Sequence, residues 1–308
     1  MSASGVRRLP CWILTSTVAA VVATVGVFQV AAGQVPGRTN SNVQNVAPAF
    51  EGWEENVDGS FNLVFGYLNR NWDEEIDVPI GPDNNVEPGG PDQGQPTRLL
   101  PRRNLFIFRV HVPKDFGTKE IVWTLTTHGK TERAYGTLKS AYFIDDNVIS
   151  ANNGASGGAG TTLELQNLNK APVLKVEGST TLTAKVGQPV TLTAIARDDN
   201  LPRPRGLAPV NPLAAAGAAV SSAVGLRLAW FVYRGAGQVT FDPPQFKVYM
   251  DSRGGSPWAP GWNTPPVPPG GKWVIRATFT EPGTYVLRCL AHDGALATAQ
   301  DVTVTVTG

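Results

Sequence analysis

Cysteine, histidine and net charge are all scarce in this sequence of 308 residues. It has two cysteines, three histidines and a formal net charge of +1. Two cysteines allow at most one disulfide, which excludes a framework built on several disulfide bonds. His111, His128 and His292 lie far apart and show no spacing typical of zinc sites. A chain without a basic excess is also a poor match to nucleic acid, so no nucleic-acid partner is predicted.

The sequence contains no pattern that predicts a catalytic residue. Acid–base catalysis would need two carboxylates facing one cleft. The acidic runs at 73–77 and 145–146 flank predicted strands, where adjacent carboxylates are usually solvated. Cys289 alternates with apolar residues, which favours a small core residue over a nucleophile. We therefore predict a protein that is not an enzyme.

Residues 1–33 have the features of an export signal. Arg7-Arg8 precede an apolar run from Cys11 to Val30, and small residues follow at 31–33. This order is typical of a cleaved signal peptide, although an apolar run of this length could also remain as a membrane anchor. We expect an exported chain that is periplasmic, displayed on the cell surface or secreted. It would contact the membrane only through this segment, if uncleaved. Cleavage removes two arginines from a chain of charge +1, which leaves −1, and it leaves Cys289 as the sole cysteine.

The rest of the chain has the composition of an all-β protein. Its 33 glycines and 25 prolines suit short strands and turns, and 42% hydrophobic residues can supply two cores. Alternation in the stretch 285–291 places Tyr285, Leu287, Cys289 and Ala291 on one face, which predicts a core strand. The predicted order is a flexible spacer at 34–47, a β-sandwich domain of unknown function at 48–148, a Gly/Asn-rich linker at 149–169, and a second sandwich at 170–308 with insertions at 201–225 and 254–271.

Three segments give the second half a family resemblance. They are "GQPVTLTAIARDD", "LAWFVYRGAGQVTF" and "ATFTEPGTYVLRCLAHDGALATAQDVTVTV". Together they resemble the PKD-like and wider immunoglobulin-like domains of exported bacterial proteins, over residues 170–308. The first domain, from "PAFEGWEENVDGSFNLVFGYLNRNWDEE" to "IVWTLTTHGKTERAYGTL", resembles a region of uncharacterised exported proteins of environmental bacteria. That likeness implies no activity. The expected fold is two immunoglobulin-like β-sandwich domains in tandem after the signal or anchor segment.

A calcium site is the one metal site that the sequence suggests. Asp198 and Asp199 end one predicted strand and Asp293 ends another, so all three should emerge at the same pole of the second sandwich. The alternative is that Asp198 and Asp293 cap turns through hydrogen bonds to nearby amides, with Gly294 at positive φ. Calcium is the only cofactor left open.

Trp258 and Trp262 are the predicted ligand-binding residues. They lie in the proline-rich insertion "GGSPWAPGWNTPPVPPGG", where no strand is predicted to hold them. Exposed tryptophans can stack on sugar rings or anchor a partner protein. The alternative is that the insertion folds back and buries both rings. We predict a non-catalytic binding or structural protein of the cell envelope that acts through protein–protein contacts. The rival prediction is a carbohydrate-binding module, or an accessory to a polysaccharide-active enzyme, whose partner is a polysaccharide.

Overall fold

The computed structural model of the chain describes residues 42–155, 168–207 and 221–308. The predicted signal or anchor at 1–33 lies outside these ranges, as does most of the predicted spacer. Residues 40–308 form one compact unit. Within the described ranges, no helix has the length and apolar character needed to cross a membrane.

The first half is a sandwich of two three-stranded antiparallel sheets. One sheet has the order β1-β2-β6, and the facing sheet has the order β4-β7-β8. The strands are β1 (Val46–Glu55), β2 (Phe61–Asn69), β4 (Asn84–Glu87), β6 (Arg102–Val112), β7 (Ile121–Thr127) and β8 (Lys130–Gly136). A short ribbon pairs β3 (Ile76–Asp77) with β5 (Arg98–Leu99). In immunoglobulin nomenclature the two sheets read A-B-E and C-F-G, which is the immunoglobulin-like arrangement.

Trp123 lies at the centre of the first core. β7 alternates buried and half-buried residues along its whole length, as a strand with one face on a core does. The Trp123 ring is fully buried and lies 5.0 Å from Phe108 and 6.3 Å from Phe65, edge to face in both pairs. Its indole N–H donates to Oδ1 of Asn84, 3.0 Å away. The largest side chain of this core is thus hydrogen-bonded to the neighbouring strand, β4.

The second half is also a sandwich. One sheet has the order β13-β14-β11-β9 and the other β10-β16-β15-β12. The strands are β9 (Val173–Glu177), β10 (Thr181–Lys185), β11 (Val190–Arg197), β12 (Arg227–Arg234), β13 (Val239–Asp242), β14 (Lys272–Phe279), β15 (Gly283–His292) and β16 (Ala297–Thr307). In immunoglobulin terms these read D-E-B-A and A′-G-F-C. The β10–β16 pair is parallel and the other ladders are antiparallel. The predicted fold class is therefore confirmed.

β15 has the predicted core face. Tyr285, Leu287, Cys289 and Ala291 are all fully buried, and Cys289 is a free thiol in the core. Burial raises the pKa of that thiol far above its ordinary value, so it is not a nucleophile at neutral pH. The Tyr285 hydroxyl donates to the Glu281 carbonyl oxygen, 2.9 Å away. This is the tyrosine corner found between strands E and F of immunoglobulin-like domains.

Several loops that the sequence predicts are more ordered than expected. The prolines of residues 81–103 predict a long loop, yet β4 and β5 lie within it and Val86 is fully buried. β4 has only four residues between prolines, which is too short for an alternation of apolar and polar residues to be recognised in the sequence. β1 begins at Val46, inside the predicted spacer. Helix α1 (Asp146–Asn152) runs into the predicted linker and buries Ile149. Residues 156–167 of that linker lie outside the described part of the chain.

The tyrosine corner provides a test of the second sandwich. We expect Tyr285→Phe to lower the free energy of unfolding by about 1 kcal/mol, because it removes one buried hydrogen bond and leaves the Glu281 carbonyl without it. Urea denaturation would measure the change. The matched control is Tyr135→Phe, at a half-exposed ring on β8, which should leave stability unchanged. Equal midpoints for wild type and Tyr285→Phe would show that the corner does not stabilise the domain.

Candidate functional site: the cleft between the two sandwiches

The loop that follows β4 in the first sandwich is hydrogen-bonded to β12 of the second sandwich. Both carboxylate oxygens of Asp92 accept from the Arg234 guanidinium, at 3.0 and 2.8 Å. Arg234 Nε donates to the Gln95 carbonyl oxygen, and the Tyr233 hydroxyl donates to the Gly94 carbonyl oxygen at 2.6 Å. Bidentate arginine–carboxylate pairs fix geometry as well as distance. The loop is therefore held in one position on the edge of the second sandwich.

Arg288 makes the central polar contact between the sandwiches. It lies on the outer face of β15, and both carboxylate oxygens of Asp301 on β16 accept from it at 2.8 Å. Its third nitrogen donates to the Ile107 carbonyl oxygen of β6, 2.7 Å away. The guanidinium carbon is 3.4 Å from the centre of the Tyr233 ring. Arg288, on β15, thus contacts three further strands, β6, β12 and β16, through its three nitrogens and one face of the guanidinium.

A second group of arginines surrounds Trp72 of the first sandwich. The guanidinium carbons of Arg102 and Arg253 lie 3.9 and 4.7 Å from the Trp72 ring centre. Arg253 also donates to the Trp72 carbonyl oxygen at 2.7 Å and pairs with Asp73 at 2.8 Å. Arg253 belongs to the segment between β13 and β14. Its contacts hold that segment against the first sandwich.

Apolar side chains complete the contact around α1. Ile149 and Ala155 pack in one buried cluster with Val64 of the first sandwich and with Val224, Ala295 and Leu296 of the second. The Asn153 side chain donates to the Ala295 carbonyl oxygen, 2.7 Å away. The two sandwiches therefore share a small core of their own.

A cleft of about 180 Å³ lies between the sandwiches, beside Arg288. One wall comes from β6 and α1, and the other from the outer face of the β12-β15-β16 sheet and the segment before β14. Most of its lining is apolar, including Phe106, Ile107, Phe231, Met250, Leu290 and Leu296. Its polar lining residues are Arg103, Asn104, Arg109, Asp146, Asn153, Arg288 and His292. A concave site with apolar walls and convergent polar groups is the usual form of a small-molecule site.

The two predicted ligand-binding tryptophans have different surroundings in the structure. Trp258 is half-buried and lines the cleft, and its indole N–H is buried without an acceptor. Trp262 is also half-buried. Its ring contacts Phe246 at 5.6 Å, and the Arg227 guanidinium carbon lies 5.8 Å from its centre. The two rings therefore do not form an exposed platform, and Trp258 alone faces a cavity.

The predicted calcium ligands behave differently from one another. Asp293 is fully buried and accepts from the amides of Ala295 and Leu296, at 2.5 and 2.7 Å, as a turn cap does. Gly294 has φ of +107°, and a Cβ there would lie 2.7 Å from the Val224 backbone. Asp199 accepts from the backbone amides of Lys170 and Leu201. In the described ranges, no three His, Cys, Asp or Glu side chains are placed to hold a metal ion. Calcium binding stays a prediction.

Burial shifts the pKa values of Asp293, Asp198 and His292 in the second sandwich. It raises the pKa of Asp293 to about 7, even though three hydrogen-bond donors favour the charged form, and nearby Asp198 adds to the rise. Burial also raises the pKa of Asp198 to about 6, with a further rise from Asp199. Burial and the adjacent Arg227 hold the pKa of His292 well below its ordinary value, so that imidazole is neutral.

Sequence reasoning missed the arginines that build the site. Arg227 begins the apolar strand "RLAWFVYR", and Arg288 interrupts "YVLRCLAH". A charged residue in the middle of an apolar strand is a signal that could have been read, because such a residue must lie at a surface or meet a partner. What could not be read is the partner, since Asp92, Ile107 and Trp72 belong to the other sandwich.

Comparison with known proteins adds little to this description. No family model matches the chain, and neither does any curated protein. The immunoglobulin-like part of the resemblance in the second half is supported by the strand order, while its PKD character stays a prediction.

Among solved structures, the chain is similar to fibronectin(III)-like modules of Clostridium thermocellum CbhA, with 9% identity over 85% of this chain and 94% of that chain and a TM-score of 0.23. It is similar to domains 1–4 of Sidekick-1, with 12% identity over 85% and 48% and a TM-score of 0.23. It is also similar to the S-layer protein rSbsC, with 10% identity over 86% of this chain and 28% of that chain and a TM-score of 0.22. These TM-scores support no inference about function.

Asp293 generates a prediction of pH dependence. Its pKa is higher in the folded chain, about 7, than the ordinary 3.8, so the folded state holds a proton that the unfolded state has released. Asp293 should therefore contribute a fall in the free energy of unfolding as pH rises from about 4 to 7, by up to about 1.4 kcal/mol per pH unit. The lowered pKa of His292 contributes in the opposite direction, because the unfolded state binds the proton that the folded imidazole lacks. Asp293→Asn still offers an oxygen to the two amides but does not titrate, so the difference between its profile and the wild-type profile isolates the contribution of Asp293.

Denaturant unfolding at several pH values would measure both profiles. Asp115→Asn, at an exposed carboxyl, is the control and should keep the wild-type slope. Parallel profiles for wild type and Asp293→Asn would contradict a raised pKa at Asp293.

Proposed function

We propose that this chain is an exported, non-catalytic binding or structural protein of the cell envelope that acts through contacts with another protein. A framework of immunoglobulin-like sandwiches is compatible with such a role, because its sheets provide a stable scaffold that presents surface side chains. The expected export rests on the features of residues 1–33. The observation that supports protein contacts is a group of aromatic rings on the first sandwich, two of which are exposed.

This aromatic patch consists of Phe50, Trp53, Phe61, Tyr142 and Phe143. Phe143 contacts Trp53 at 5.0 Å, Trp53 contacts Phe61 at 5.4 Å, and Tyr142 contacts Phe50 at 5.6 Å between ring centres. Tyr142 and Phe143 are each 47% exposed. Phe50, Trp53 and Phe61 are half-buried and pack against the core, so Tyr142 and Phe143 are the exposed rings of the patch. Aromatic residues are enriched where proteins bind each other.

The backbone beneath the patch is held in place. The Trp53 indole N–H donates to the Lys139 carbonyl oxygen at 2.8 Å. The Ile144 amide donates to the Trp53 carbonyl oxygen at 2.9 Å. Segment 139–144 thereby covers the free edge of β1. Rings fixed before binding lose little conformational freedom when a partner covers them, which favours affinity.

The patch can be tested by replacing its two exposed rings. We expect the double variant Tyr142→Ser/Phe143→Ser to lose at least about tenfold in affinity for an envelope protein captured by the wild-type chain, because removing central aromatic anchors has the largest effects at interfaces. Capture from envelope extract after cross-linking, followed by titration with the captured protein, would measure this. N-terminal sequencing of the exported chain would test the predicted cleavage.

The matched control is Val173→Ser/Val274→Ser, which removes two exposed apolar side chains from the second sandwich. It should capture the same protein as wild type. Equal capture by all three chains would contradict the patch as the binding surface. Retention on insoluble polysaccharide that Trp258→Ala and Trp262→Ala abolish would favour the carbohydrate-binding alternative.

A further inference from the structure

Two buried hydrogen-bond donors beside the cleft have no acceptor. They are one guanidinium nitrogen of Arg227, Nη2, and the indole N–H of Trp258. Both side chains line a small cavity of about 10 Å³, together with Phe246, Leu290 and His292. Neither group can accept a hydrogen bond, so they cannot satisfy each other. Buried donors of this kind are normally paired, and an unpaired one is explained by strain, by a functional role, or by a bound water, ion or ligand that supplies the acceptor.

The charge around this cavity favours an anionic acceptor. Arg227 is 3% exposed, and its other terminal nitrogen donates to the Ala223 carbonyl oxygen at 3.0 Å. Asp293 acts electrostatically on Arg227, but its oxygens accept from Ala295, Leu296 and Asn169. The adjacent His292 is buried and faces the same cavity. The Arg227 guanidinium also meets the Trp262 ring, so Nη2 is the part of it that has no hydrogen-bond acceptor among the described residues, and a buried charge is stabilised when such donors are satisfied.

The apolar cleft adjoins the small cavity. The two share Val248, Trp258, Leu290 and His292 in their linings. The cleft volume of about 180 Å³ is close to that of an engineered apolar cavity of about 150 Å³ that binds benzene. A body the size of one aromatic ring with a short chain fits this space. Phe231, Ile107 and Met250 would surround it.

We propose that the cleft binds a small monocarboxylate with an apolar body, such as an aryl-alkanoic acid. The body lies in the cleft between the sandwiches, and one carboxylate oxygen enters the small cavity, which has room for about one water-sized atom, and accepts from Arg227 Nη2 and Trp258 Nε1. The walls come from both sandwiches, so the ligand stabilises their contact. The site is separate from the aromatic patch and does not depend on the proposed protein partner.

Phenylacetate is the probe for this site, with benzyl alcohol and acetate as matched controls. Benzyl alcohol keeps the ring without the charge, and acetate keeps the charge without the ring. Isothermal titration with the full chain should show millimolar or tighter binding of phenylacetate, and at least about fivefold weaker binding of either control, because each control lacks one of the two contacts. The melting temperature should rise with phenylacetate concentration.

Two variants locate the site. Trp258→Phe keeps an aromatic ring but removes the N–H, and it should weaken phenylacetate binding at least about threefold. Trp273→Phe, at a half-buried ring on β14 that lines neither the cleft nor the small cavity, should bind as wild type does. The indole N–H signal of Trp258 can be assigned in the ¹H–¹⁵N correlation spectrum as the one that Trp258→Phe removes. In the wild type, this signal should shift on titration with phenylacetate. This readout requires no variant of the buried Arg227.

Three results would overturn the proposal. Absence of phenylacetate binding at millimolar concentration would exclude the ligand class. Equal affinity for phenylacetate and benzyl alcohol would exclude the anionic contact. Binding that leaves the Trp258 indole signal unmoved would place the ligand elsewhere and leave a water molecule as the acceptor for both donors.

Discussion

The position of the Arg288 guanidinium between two sandwiches is the constraint on which the rest of the architecture depends. Its bonds to Asp301 orient the group on the second sandwich, and its bond to the Ile107 carbonyl oxygen reaches the first. Stacking on Tyr233 removes one face from water. A largely buried arginine loses hydration that only a complete set of partners can replace. Its partners span both sandwiches, so separation would break the hydrogen bond to the Ile107 carbonyl oxygen, while the pair with Asp301 would stay within the second sandwich.

This contact explains why a chain with two immunoglobulin-like sandwiches forms one compact unit. Asp92–Arg234 and Trp72–Arg253 are two further polar contacts between the sandwiches, and the small core around Ile149 is an apolar one. Packing between these fixed contacts leaves the cleft. The cleft is therefore a consequence of how the sandwiches are joined.

The alternation of apolar and polar residues made the longer strands predictable from the sequence. Features that depend on contacts between distant residues could not be predicted in this way. The alternate burial of Tyr285, Leu287, Cys289 and Ala291 follows from period two alone. β4 could not be predicted, because a strand of four residues between prolines gains its stability from pairing with β7. The tryptophans were identified as candidates, but only the fold shows that Trp258 lines the cleft while Trp262 packs on Phe246.

The joining of the two sandwiches can be measured directly by native-state hydrogen exchange in increasing denaturant. Amides of β7 report on the first core, and amides of β15 report on the second. If the contacts around Arg288 fix the two sandwiches together, the slowest amides of both strands should exchange with the same free energy and the same denaturant dependence. Two distinct free energies, with one sandwich opening while the other stays protected, would contradict a single cooperative unit.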